Sequence, residues 1–209
     1  MMSAQILVLA KEPVAGKVKT RLSPTLTGVQ AAQIATAALL DTLDAVRRTD
    51  CSDRLLVIDG FLDAPGFLVV PQVTGPLDER IAAAFDDAWA YRRLPMLLIG
   101  MDTPQLSADL LTEALRTLLA PGVDAVLGLA PDGGWWGLGL RRPQPGLIRG
   151  FETSREDTGA RQRDALIHAG LVVGDLPLVQ DVDTVGDLAD VAALVPDSRF
   201  ARTVSMVLT

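Results

Sequence analysis

The chain has 209 residues, 49% apolar and 22% charged, with a formal net charge of −7. That length suits one domain able to bury about 70% of its unfolded surface. The acidic balance argues against a nucleic-acid or anionic-membrane binder, which needs a basic face, and no apolar run approaches the roughly 18 residues of a membrane span.

In chain order, the first apolar run is QILVLA at 5–10. The start, MMSAQILVLAKEP, has no basic n-region and five apolar residues before Lys11, so no signal peptide is expected. Further short runs rich in Val, Ile and Leu lie at 54–59, 67–71, 95–101 and 123–129. Flanked by turn residues, such runs suit strands buried on both faces. Helical spacing fills the gaps. Residues 28–47 open with Thr27 before them and Gln30 three positions on, a capping-box spacing, and carry apolar residues at Ile34, Ala37, Ala38, Leu40, Leu43 and Val46. Residues 77–93 and 107–119 read the same way, the second opened by Ser107. Alternating strands and helices imply a mostly parallel sheet with helices on both faces.

The last third changes rhythm. WWGLGLRR at 135–142 alternates weakly and reads as an added strand, 155–169 as a helix, and 171–184 as extended chain broken by Gly174 and Pro177. Thr184 with Asp187 is spaced to cap a helix reaching Leu194. The division expected is one domain with a nucleotide-binding half, 1–129, and a pocket-completing half, 130–209. The lone Cys51, in TDCSD, reads as a polar-loop residue with no internal disulfide partner, which fits a reducing cytoplasm.

All three lysines of the chain fall between positions 11 and 19, in AKEPVAGKVKTRLSP after the first strand. This is not a Walker A loop, because Lys11 stands at the glycine position and Val18 follows Lys17. It leaves the carboxyl end of a strand, where open α/β sheets bind ligands. Its four cations, the three lysines and Arg21, together with backbone donors around the turn at Gly16, could hold a diphosphate; the alternative is a solvated basic loop. Asp102, in GMDTP, follows a strand directly and suits Mg²⁺ or Mn²⁺ that also touches phosphate, or else caps a turn. Asp181 and Asp183 are two apart and face one way in extended chain; they could supply a second ligand while Asp183 or Thr184 caps a helix.

In APDGGWWGLGL, Gly133 and Gly134 permit close backbone approach, and Trp135 or Trp136 could stack on a sugar or base while alternation sends one inward. Asp132, beside that turn, is a candidate general base for an acceptor hydroxyl. Arg80, in PLDERIAAAF, either reaches a base or phosphate or simply opens a helix. His168 sits near a helix end, where it favours the dipole.

Taken in order, AKEPVAGKVKTRLSP, GMDTP, DGGWWGLGL and DVDT resemble a family of small bacterial transferases with a nucleotide-diphospho-sugar transferase (GT-A-like) fold. Some members are linked to arsenosugar or selenium gene clusters. The wider superfamily includes guanylyltransferases of molybdenum-cofactor and deazaflavin-cofactor synthesis. The resemblance implies a Rossmann-like fold and phosphate contacts at Lys11, Lys17 and Arg21. It implies a metal on Asp102 and Asp183, with Asp181 as alternate. The chain departs from the family at Trp135-Trp136, where tyrosines are usual, and FETSREDTGARQ matches the family's Trp-Ser-Thr stretch only at Thr153-Ser154. The activity expected is metal-dependent glycosyl transfer from a nucleotide sugar to a small-molecule acceptor, with Lys17, Arg21 and Asp132 in the chemistry. The alternatives are a nucleotidyltransferase releasing pyrophosphate from an NTP, and a non-catalytic nucleotide-binding protein.

Overall fold

A computed structural model describes residues 2–153 and 155–208. Seven strands form one sheet: β1 Met2–Lys11, β2 Cys51–Asp59, β3 Leu68–Pro71, β4 Met96–Gly100, β5 Ala125–Leu129, β6 Trp135–Leu140 and β7 Val173–Leu176. Their order is β3-β2-β1-β4-β6-β5-β7. Every pairing is parallel except those of β6, which runs antiparallel to both β4 and β5. The added strand therefore lies inside the sheet. A tight turn reverses the chain after β5: Gly133 N–H donates to the Ala130 carbonyl and Ala130 N–H to the Gly134 carbonyl.

Helices α1 Gly28–Arg48, α2 Leu77–Tyr91, α3 Ala108–Leu119 and α4 Thr158–His168 cover the two faces. Strand alternation assigns the faces. Ile6, Val8, Leu97 and Ile99 pack with Leu39 and Leu43 of α1 and Leu111 and Leu115 of α3. Leu7, Leu55, Leu98 and Leu127 pack with Ile81 and Phe85 of α2 and Leu166 of α4. The reciprocal Thr27–Gln30 capping box opens α1, and the Ser107 hydroxyl accepts the Leu110 N–H to open α3. Gly128 must lack a side chain, because a Cβ there would lie 2.3 Å from the indole of Trp136 on the neighbouring strand. The expectation of a mostly parallel α/β sheet covered on both faces is met.

Three local expectations change. Cys51 is not in a loop. It begins β2 with 1% exposure, and burial pushes its thiol pKa up. A polar-looking stretch is strand here because it pairs with Met2 at the start of β1. The extended reading of 171–184 holds as strand only over β7; the rest is loop. Finally, α5 Val185–Leu194, capped by Thr184 and Asp187 as expected, is followed by α6 Arg199–Leu208, which the sequence reading did not foresee.

These two helices and α1 enclose a third apolar cluster, in which Phe200 and Val204 meet Ile34, Ala38, Leu188 and Val191. Leu22 from the loop after β1 and Val182 from the loop after β7 belong to the same cluster. Arg199 clamps α6 to α1 through Asp41 at 3.1 Å and Asp44 at 2.5 Å. No helix among the described residues is long and apolar enough to cross a membrane.

Phe200 is fully buried, so Phe200→Ala should destabilise the protein by about 3–5 kcal/mol. Urea denaturation followed by circular dichroism checks this; a loss under about 1 kcal/mol would mean α6 is peripheral to the fold.

Candidate active site

β1 and β4 are neighbours, but β1 also pairs with β2 on its other side, so the chain order reverses between β1 and β4. Crevices at such a switch point, beyond the carboxyl ends of the strands, are where open α/β sheets hold ligands. Here a cleft of about 860 Å³ opens, lined among others by Lys11, Lys17, Asp102, Asp132, Trp135 and Asp183.

The loop leaving β1 supplies the cations. Lys17 N–H closes a turn on the Val14 carbonyl at 3.0 Å, with Gly16 at φ 79. Gly16 turns the loop and packs on Gly28, where a Cβ would come 3.0 Å from the Gly16 nitrogen. Lys19 then adopts φ 49, a left-handed conformation that side chains other than Gly and Asn rarely take. Leu22, fully buried, pins the far end of the loop.

The four cations divide into two pairs. Lys11 and Lys17 are exposed and form no ion pair among the described residues. Lys19 and Arg21 are bound to acids. The Lys19 ammonium donates to Asp102 Oδ2 at 2.9 Å, to Asp183 Oδ1 at 3.2 Å and to the Val182 carbonyl. Arg21 Nη1 donates to Asp183 Oδ2 at 2.6 Å. The Lys19 side chain is 7% exposed against 67% for Arg21. Burial alone would lower the Lys19 pKa, but the charges of Asp102 and Asp183 outweigh it and hold the pKa above the ordinary lysine value.

The acids come from three loops. Asp102 follows β4, and its carbonyl accepts the Val182 N–H at 3.1 Å, which ties the β4 loop to the late loop. Val182 is fully buried in the third cluster, so its neighbours Asp181 and Asp183 are turned together toward the cleft. Carboxylate oxygens of Asp132, Asp181 and Asp183 lie within 4.8 Å of one another. Burial, then the charges of Asp132 and Asp183, pushes the Asp181 pKa up to about 6. Asp132 Oδ1 accepts the Gly134 N–H at 2.8 Å, which fixes that carboxylate at the turn. Asp102, the primary metal ligand expected from the sequence, is engaged by Lys19 rather than grouped with the other three.

The remaining candidates divide as follows. Trp136 is core: 3% exposed, its Nε1–H donates to the Pro177 carbonyl at 2.9 Å. Trp135 is half-buried at the cleft wall. The close approach at Gly133, φ 88, is to the protein itself, since a Cβ there would lie 1.7 Å from the Glu156 carbonyl oxygen. Arg80 lies in the first turn of α2 and lines the cleft, but its guanidinium is given to Asp59 at 2.7 Å, Gln72 and the Gly75 carbonyl. That hydrogen bond holds the Asp59 carboxyl below its usual range. Thr153 lines the cleft, and Ser154 lies outside the described residues. His168 sits at the end of α4, its Nδ1 2.7 Å from the Asp164 carbonyl.

Sequence reasoning fell short at two residues. Lys19 was counted among the loop's phosphate-holding lysines but given no individual role, and its ion pairs with Asp102 and Asp183 were not foreseen. Thr103 received no role. It lines the cleft at 2% exposure, and its hydroxyl has no partner among the described residues.

Residues 30–155 match the family described as "Uncharacterized protein conserved in bacteria (DUF2064)". The match spans more than half of the chain, and the chain belongs to that family. No curated protein matches it. Among solved structures, one from Desulfovibrio desulfuricans G20, provisionally described as a nucleotide-diphospho-sugar transferase, is 28% identical; it aligns over 99% of this chain and 94% of its own with a TM-score of 0.86. The Rv0371c protein of Mycobacterium tuberculosis H37Rv, in complex with manganese, is 19% identical over 90% of this chain and 97% of its own, with a TM-score of 0.54. A cytidylyltransferase from Leptospira borgpetersenii is 12% identical over 99% of this chain and 94% of its own, with a TM-score of 0.57. The last two likenesses show a shared fold.

The raised Asp181 pKa has a sign. With a folded pKa of about 6 against 3.8 unfolded, the folded protein holds more protons between those values, so stability falls as pH rises through that window. In EDTA, Asp181→Asn should therefore raise the melting temperature by a few degrees at pH 8 and little at pH 4. An equal effect at both pH values would show that the carboxylate is not strained by its neighbours.

Proposed function

We propose that this DUF2064 protein is a nucleotide-dependent transferase that moves a glycosyl group from a nucleotide-sugar donor to a small-molecule acceptor, with Mg²⁺ or Mn²⁺ as cofactor. One observation carries the reading: Lys11 and Lys17, without ion-pair partners among the described residues, share a cleft with the carboxylates of Asp132, Asp181 and Asp183. That combination suits a diphosphate on one side and a hard cation on the other. The similarity to the Desulfovibrio structure supports the same reading.

The acid group fits such a cation by its chemistry. It offers oxygen donors only, close enough to share one ion, as Mg²⁺ and Mn²⁺ prefer. We assign Asp181 and Asp183 to hold it. Bound there, the ion would supply positive charge to the leaving diphosphate. Lys11 and Lys17 bind the diphosphate, with the Gly16 turn presenting them. Arg21, on the exposed side of Asp183, orients that carboxylate and adds charge at the rim. Asp132, exposed and anchored by Gly134, takes the proton of the acceptor hydroxyl, while Trp135 provides an apolar wall for the acceptor beside Gly133 and Gly134. The half spanning 1–129 then binds the nucleotide and the half spanning 130–209 the acceptor, within one domain.

A second reading, nucleotidyl transfer, uses the same lysines on a triphosphate. Product analysis separates the two. The protein is incubated with sugar nucleotides or NTPs and Mn²⁺. Nucleoside diphosphate released from a sugar nucleotide supports glycosyl transfer, pyrophosphate from an NTP supports the second reading, and binding without turnover leaves a nucleotide-binding protein. Lys17→Ala should weaken nucleotide binding roughly tenfold or more, as loss of a charge-assisted contact does. Asp132→Asn should lower kcat by about 100-fold with nucleotide affinity unchanged; unaltered turnover would remove its role as base.

A further inference from the structure

The Lys19 ammonium stands where two of the cleft's acids converge. It bridges Asp102 Oδ2 and Asp183 Oδ1, and Arg21 takes the other oxygen of Asp183. Asp183 is also one of the three carboxylates that can share an ion. A dication drawn to Asp183 meets two positive groups already on that carboxylate, and like charges this close repel. One of them must yield. Arg21 is at the exposed rim and binds a single oxygen. Lys19 is buried and spans the gap between Asp183 and Asp102, so its departure would free oxygens on both acids at once.

Lys19 is built to move. An ammonium on a four-carbon stem is compact and free to rotate, unlike the planar guanidinium that the chain uses at its other basic positions outside this loop. Its backbone is held in the left-handed region at the start of the 3-10 turn Thr20–Leu22, so the anchor stays fixed while the side chain swings. The same cleft holds the destination, the phosphate region marked by Lys11 and Lys17.

Resting on the metal-and-nucleotide reading above, we infer that Lys19 is a resident counter-ion that exchanges with the divalent cation. In the empty protein its ammonium neutralises Asp102 and Asp183. When the cation arrives at Asp181 and Asp183, Asp102 joins them as a ligand and the ammonium turns to the phosphates. This makes Asp102 a ligand only of the loaded site. It also keeps the acids neutralised in both states, so the loops they join hold together.

The wild-type protein tests this directly, because its lysines number only three. With ¹⁵N-labelled lysine, one side-chain ammonium, that of Lys19, should exchange slowly with water in the metal-free protein. Mg²⁺, titrated to saturation with binding measured in parallel by calorimetry, should shift that resonance and speed its exchange. Added inorganic pyrophosphate should shift it again. Saturation by Mg²⁺ with an unchanged Lys19 signal overturns the exchange and leaves the metal reading standing. Failure of both Mg²⁺ and Mn²⁺ to bind overturns the two together. Lys19→Met, checked for native circular dichroism, should bind Mn²⁺ at least tenfold more tightly than wild type by electron paramagnetic resonance and Mn²⁺-pyrophosphate more weakly than expected from that gain. Unchanged or weaker Mn²⁺ binding by the folded variant overturns the inference.

Discussion

A buried ammonium joins the three loops on which the cleft depends. Lys19 belongs to the loop after β1, Asp102 to the loop after β4, and Asp183 to the loop after β7, and the Lys19 side chain meets both carboxylates. An unpaired lysine at 7% exposure would be costly, and so would two facing carboxylates. Each charge is tolerable because the others are present. Breaking one partner leaves the rest uncompensated, so the loops hold their relative positions as a set.

Apolar packing sets this ion group in place from behind. Leu22 and Val182, one from each of two of the loops, are buried in the cluster formed by α1, α5 and α6. Val182 turns inward between Asp181 and Asp183, and its N–H reaches the Asp102 carbonyl. Helices α5 and α6 thus act on the site from outside the cleft lining: they fix the depth of Val182, and Val182 fixes which way two carboxylates face. Burial of Asp181 itself, and then the charges of Asp132 and Asp183 gathered beside it, raise the Asp181 pKa.

The charge distribution follows from the same arrangement. Lys19 and Arg21 are absorbed by acids, while Lys11 and Lys17 remain exposed toward the cleft. Arg80, another cation lining the cleft, is held by Asp59, Gln72 and a backbone carbonyl. Among the described residues, Lys11 and Lys17 therefore stand out as lysines of the cleft that no acid has taken up, positive charges open to an anion. This selectivity is invisible in the overall charge of −7.

Much of the fold was legible in the sequence. The apolar runs, their turn residues and the Thr27–Gln30 and Thr184–Asp187 caps are local features, and local physics sufficed to place β1 through β5 and α1 through α5 within a few residues. The loop of lysines and the pair Asp181 and Asp183 were legible as well, since composition and a two-residue spacing are properties of the chain. The sequence did not foresee α6, whose amphipathic face has meaning only against α1 and α5, or Cys51 as the first residue of β2, where pairing with Met2 overrides a polar neighbourhood. It also could not divide the cations. Which lysine turns inward depends on the left-handed backbone at Lys19 and on carboxylates 83 and 164 residues away in sequence, brought near by the parallel sheet. The chain alone determined that cations and acids gather at the carboxyl edge of the sheet; only the tertiary structure decided which of them neutralise one another and which are left for a ligand, because that choice rests on distances between loops far apart in sequence.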